Sequence, residues 1–116
     1  MKYLELLNQN ILYLYIDLYN FSDKSELQYN ILFKIENIIK NDNLYFMNIF
    51  KEDIYNNCKD EILKENINIL SVINEILIKE FDLLKIYNKL KKKNKVIIWN
   101  YLKIFIILYE KYYFTL

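Results

Sequence analysis

Large apolar residues recur along this chain at alternating intervals of three and four, the spacing of one face of an α-helix. In the first segment Leu4, Leu7, Ile11, Leu14, Leu18 and Phe21 make that face, Leu6, Tyr13 and Ile16 widen it, and Glu5, Gln9 and Asp17 mark the wetter side. The spacing predicts a helix over 2–19, broken at Asn20–Lys24. Ser25, with Gln28 three residues later, has the form of a capping box and opens a second helix, predicted over 24–40. Its stripe is Leu27, Ile31, Ile35 and Ile38, with Leu32 and Ile39 beside it, and Asn41-Asp42-Asn43 can end it and cap the next.

A short third helix, over 44–56, carries Leu44, Phe46, Met47, Phe50 and Ile54, and Asn56-Asn57 is the next expected break. From 59 to 92 the pattern then runs on through Leu63, Ile67, Leu70, Ile73, Leu77, Phe81, Leu84 and Tyr87. A continuous helix there, about 45 Å or more long, would overhang its neighbours, so a bend is expected at Asn66-Ile67-Asn68 or Asn74. Five lysines within 89–95 precede a last helix, over 95–113, that is apolar on nearly every face. The pattern as a whole predicts an all-α fold: a single helical domain, 1–116, in which a bundle of about five helices surrounds the apolar C-terminal one.

Composition sharpens this picture. Ile 20, Leu 18, Lys 16, Asn 16, Tyr 12 and Phe 7 supply 89 of the 116 residues, and Gly, Pro, His, Ala and Arg are absent. All six abundant types have codons built from A and T, which points to an AT-rich source genome. Without Gly or Pro, turns fall to Asn, Asp and Ser. Without Ala or Gly, helices cannot approach closely through small residues, which argues against tight membrane-type helix pairs.

Charge and the missing residue types exclude several functions. A net charge of +1 gives no global field to attract nucleic acid or an anionic membrane, so nucleic acid is not the expected partner. The single cysteine cannot form an internal disulfide, and with no histidine there is no Cys/His zinc set. A reducing intracellular compartment follows as the simplest expectation. A Ser/His/Asp or Cys/His catalytic site is impossible, and a phosphate-cradling glycine loop is missing. No catalytic, metal or cofactor-binding residues are assigned, and the protein is expected not to be an enzyme.

Five features remain as candidates for chemistry or binding. The apolar run 96–109 is 14 residues long with Lys103 inside it, shorter than the ~20 that a membrane span needs. Core helix is the preferred reading, with membrane association through 96–109 the less favoured one. The lysines of 89–95, near Tyr87, Trp99 and Tyr101, are either a solvated loop or a patch for nucleic acid or lipid headgroups. Asp60, Glu61 and Glu65 lie close together, with Glu61 and Glu65 on one helix face at i,i+4; a self-neutralising surface and an acid–base or metal pair are the alternatives. Cys58, if it opens the fourth helix, would have a lowered thiol pKa; otherwise it is a packing residue. Finally, Tyr13, Tyr15, Tyr19, Tyr109, Tyr112 and Tyr113 exceed what a small core readily encloses. Tyrosine joins a large apolar ring to a polar tip, so these six define a candidate interface built from the two termini, against the alternative of codon availability.

The function expected is a non-catalytic helical interaction module that docks to a protein partner or to itself. Amphipathic helices around one apolar helix, in a chain of this length, are similar in layout to the small poxvirus Bcl-2-like proteins. Trp99-Asn100 resembles that family's Asn-Trp pair in reversed order, without the Gly-Arg that follows it. The resemblance implies a viral host-interaction protein, with a groove for death-promoting helices or a surface that blocks signalling adaptors. The alternative expectation is an accessory subunit of a large organellar or membrane-associated assembly, a respiratory complex or a ribosome.

Overall fold

Helix α1 (Lys2–Phe21) lies antiparallel against the last helix, α7 (Lys92–Phe114), and this pair forms the spine of the molecule. The direction is fixed by two cross-contacts. Tyr101 Oη donates to Asp17 Oδ2 at 2.7 Å, and nearer the other end Lys111 Nζ lies 5.7 Å from the centre of the Tyr3 ring. The structure, a computed structural model, describes residues 2–77 and 79–114, and among them all regular structure is helical. Between the two spine helices run α2 (Glu26–Asn41), α3 (Tyr45–Ile49), a π-helical turn (Phe50–Ile54), α4 (Tyr55–Leu63), α5 (Ile69–Ile76) and α6 (Leu83–Lys89).

The predicted stripe of α1 is the buried one: Leu4, Leu7, Ile11, Leu14 and Leu18 are enclosed, and Phe21, half-buried, extends the helix two residues past its expected end. Each such burial removes a large aliphatic side chain from water for about 1.5–3 kcal/mol. Beside this stripe α7 buries Ile98, Trp99, Leu102, Phe105, Ile106, Leu108 and Tyr109, and Phe105 meets Phe50 edge-on at 5.4 Å. The buried apolar residues form one continuous cluster. The capping box at Ser25 is present, with Gln28 N donating to Ser25 Oγ and Ser25 N to Gln28 Oε1.

Asn56-Asn57 makes no break. The chain runs helically from Tyr45 to Leu63, with the π turn in the middle. The reason lies in a strict four-residue row, Phe46, Phe50, Ile54, Cys58 and Ile62, all buried. An α-helix advances 400° in four residues, so such a row would wind around the helix by about 40° per step. One wider turn unwinds that drift and keeps the row against α7 and the rest of the core.

The continuous helix over 59–92 is likewise not formed. Its first break covers 64–68, at the expected Asn66-Ile67-Asn68, and its second falls between Ile76 and Leu83. At the first, Glu65 takes a left-handed φ of 54°, Glu65 N donates to Ile62 O, and Asn66 N to Glu61 O. This is the Schellman ending that glycine normally makes, with a glutamate in the glycine position. Asn74 does not break α5. Its Oδ1 instead accepts from Leu83 N at 2.9 Å, across the second break.

Three apolar stripes also change. Leu27, Leu44, Leu63 and Ile67, all read as core, are exposed. Ile67 lies within the turn itself, and Leu63 falls about 100° round α4 from Ile62, through which that helix is packed, so neither joins the face expected of an unbroken helix. Nor is α7 wholly enclosed: it lies between α1 and α4, and Val96, Ile104 and Ile107 remain exposed along its outer side.

Candidate functional site

The six tyrosines of the expected interface do not form one surface, although Tyr113 meets Tyr109 at 4.8 Å and Tyr112 at 4.9 Å at the end of α7. Because α1 and α7 are antiparallel, Tyr13 and Tyr19 lie level with the middle of α7, whereas Tyr112 and Tyr113 end it beside Tyr3. Tyr15 and Tyr109 are buried. Tyr15 is a fastener of the core: its hydroxyl donates to Leu77 O, and its ring meets Phe81 edge-on at 5.9 Å. Burial, with Glu80 nearby, pushes its pKa far above the ordinary tyrosine value. Tyr109 stacks on Tyr55 at 4.4 Å. Tyr13 is exposed, while Tyr19, Tyr112 and Tyr113 are half-buried.

The carboxylates of α4 diverge. The turn at Glu65 carries that side chain across to Lys103, while Glu61 Oε2 accepts from Asn66 Nδ2 at 2.6 Å. The shared i,i+4 face is lost because the helix has already ended. Cys58 is buried in mid-helix, and desolvation pushes its thiol pKa up, the reverse of what a helix-opening position would do. Trp99 is also buried; its Nε1 donates to Tyr87 Oη at 2.9 Å and fastens α6 to α7. Asn100 is exposed.

A polar cluster joins α4 to α7. Glu110 Oε2 accepts from Tyr55 Oη at 2.6 Å and from Lys59 Nζ at 2.7 Å, and Lys59 also reaches Tyr55 Oη at 3.0 Å. These bonds raise the Lys59 pKa and lower that of Glu110. The lowered carboxylate contributes stability that is present above its ordinary pKa and lost as pH falls through the folded value. The three groups satisfy one another and act as a fastener. Among the described residues no set of three or more Cys, Asp or Glu side chains is arranged to hold a metal ion.

Of the five lysines in 89–95, Lys89 ends α6, and Lys92 and Lys93 lie in the first turn of α7. There the helix dipole opposes them, unlike the C-terminal placement that would suit it. Lys95 rests over the Tyr87 ring at 5.2 Å. No helix among the described residues is long and apolar enough to cross a membrane.

The feature that departs most from a closed globule is α2. Its only buried residues are Ile31 and Ile35, while Leu27 is 71% exposed, Phe33 52% and Tyr29 46%. Tyr29 and Phe33 meet edge-on at 5.3 Å, and Tyr29 also touches Tyr19 of α1 at 5.6 Å. Beside Phe33 an open, shallow groove of about 580 Å³ runs along α2 to Tyr45 of α3, lined by Lys34, Asn37, Ile38 and Asp42 among others. Sequence reasoning passed over Tyr29 and Phe33, although a signal was available. At 100° per residue, Phe33 projects about 180° from the midpoint of Ile31 and Ile35, so both sides of α2 carry large apolar groups.

Compared with protein-family models, with curated proteins and with solved structures, the chain shows no match.

Proposed function

We propose that this chain is a non-catalytic helical interaction module that docks through the outward face of α2. The observation that carries the reading is the exposure of Tyr29 and Phe33 on the far side of a helix held to the core by two buried residues. Aromatic side chains of this kind are enriched at protein interfaces, because they bury large rigid areas at small entropic cost. The test is affinity purification of the tagged full chain from its native host, in parallel with Phe33→Asp. A partner recovered with the wild type and lost with the variant supports the reading; the same proteins at the same abundance from both would overturn it. Within this class, the narrower proposal is a viral host-interaction protein of Bcl-2-like layout. It predicts micromolar binding of death-promoting helical peptides and is abandoned if none binds.

A second reading, an accessory subunit of a larger assembly, draws support from α7, whose outer side exposes Val96, Ile104 and Ile107 along one stripe. A permanent neighbour would cover that stripe. Ile107→Asp would then release the chain from the assembly, while Phe33→Asp would leave it bound.

A further inference from the structure

The outward face of α2 is complementary to itself when read in the opposite direction, and from this we infer that it pairs with α2 of a second copy of this chain, antiparallel, about a two-fold axis at Phe33. This inference rests on the interaction reading above and names the partner. Glu26, Phe33 and Lys40 are seven residues apart, so they fall within about 20° per step of a straight line along the helix. All three are exposed. Tyr29 and Glu36 flank this line on one side, Asn30 and Asn37 on the other, and these four are exposed too.

A two-fold axis at Phe33 sets Phe33 against its own copy and gives every other residue of the face a suitable partner. Glu26 faces Lys40 at both ends, Tyr29 lies beside Glu36, and Asn30 lies beside Asn37. These are an ion pair, a hydroxyl-to-carboxylate hydrogen bond and an amide pair, each occurring twice by symmetry. A parallel arrangement would instead oppose Glu26 to Glu26, Glu36 to Glu36 and Lys40 to Lys40, so charge alone selects the antiparallel one. Within the copy, neither Glu26 nor Lys40 takes part in an ion pair among the described residues.

Size sets the strength. The 16 residues of α2 make a rod of about 24 Å, and one such face covers less than the ~800 Å² that each partner of a standard interface contributes. The pairing is therefore a reversible, concentration-dependent dimer. It also occludes Phe33 and Tyr29, so a heterologous partner that uses the same face would compete with it.

Sedimentation equilibrium of the full chain, from micromolar concentration to about 1 mM, tests the pairing. The expected result is a monomer–dimer equilibrium that Phe33→Asp weakens by about tenfold or more, because two like charges then meet at the axis. Glu26→Lys and Lys40→Glu each leave like charges at both ends of their homodimers and weaken them severalfold. A mixture of these two variants restores both ion pairs, so the heterodimer returns to wild-type strength. Simple helix destabilisation, which also follows from reversing charges at helix ends, would not be rescued by mixing. A chain that stays monomeric, an unchanged constant for Phe33→Asp, or no recovery in the mixture would each overturn the pairing. If the chain is monomeric yet Phe33→Asp still loses a heterologous partner, self-pairing alone has failed and the interaction reading survives.

Discussion

Helices α1 and α2 are neighbours in the chain, and both carry apolar residues at helical spacing, yet they are bound to the molecule very differently. Seven residues of α1 are buried, whereas α2 buries two. Periodicity reports that a helix has an apolar face, but not whether a second face is apolar too, nor how much of either finds a partner. On α1 the exposed positions are polar but for Tyr13: Lys2, Glu5, Gln9 and Asn20. On α2 the opposite side repeats the greasy character through Tyr29 and Phe33, and the core can accept only one side. The surplus is what a docking surface is made from.

Four substitutions probe that contrast. The largest effect is expected at the spine: Phe105→Ala empties a fully buried site against Phe50 and costs about 3–5 kcal/mol in urea unfolding. A loss below 1 kcal/mol would show the spine to be less tightly packed than α2. Next, Tyr15→Phe strands the Leu77 carbonyl and costs roughly 1–3 kcal/mol. The same residue governs alkaline behaviour. Tyr15 and Tyr101 are both held far above the ordinary tyrosine pKa, chiefly by desolvation. An unfolded chain ionises them near pH 10 while the native one keeps its protons. Stability is therefore full below about pH 10 and declines as pH rises above it, and Tyr15→Phe should make that decline shallower.

Smaller effects belong to the α2 side. Ser25→Ala removes the cap and costs about 1 kcal/mol. Hydrogen exchange should then speed up across α2 and leave the α1 and α7 amides unchanged; uniform acceleration would mean that α2 opens only with the whole molecule. The smallest change is a gain. Lys24 holds a left-handed φ of 56° just before the cap, and Lys24→Gly should stabilise the protein by about 0.5–1 kcal/mol, read as a raised Tm.

Much of the fold could be read in the residues, because large side chains at intervals of three and four leave little choice but helices. The Ser25 capping box, the stripe of α1 and the break at Asn66-Ile67-Asn68 were all visible. What could not be read was set by distant parts of the chain. Nothing near Asn74 says that its amide caps Leu83 nine residues on, or that Tyr15, which looks like an interface residue, reaches the Leu77 carbonyl. The expected tyrosine surface rested on composition, and composition does not know that α1 and α7 run in opposite directions. The outward aromatics of α2 were legible, but only by asking what lay opposite Ile31 and Ile35.

The π turn imposes a constraint of an unusual kind on its own surface. Lys51, Glu52 and Asp53 face water, and most side chains would serve there. What is held instead is the arc, because the wider turn takes one more residue than an α turn to cover it. Closing the turn to a regular helix at unchanged length would swing Cys58 and Ile62 by about 100° off the interior, whereas deleting one of the three residues as it closes would bring them nearly back into phase. Spelling in this stretch is free, and the angle at which α4 leaves it is not.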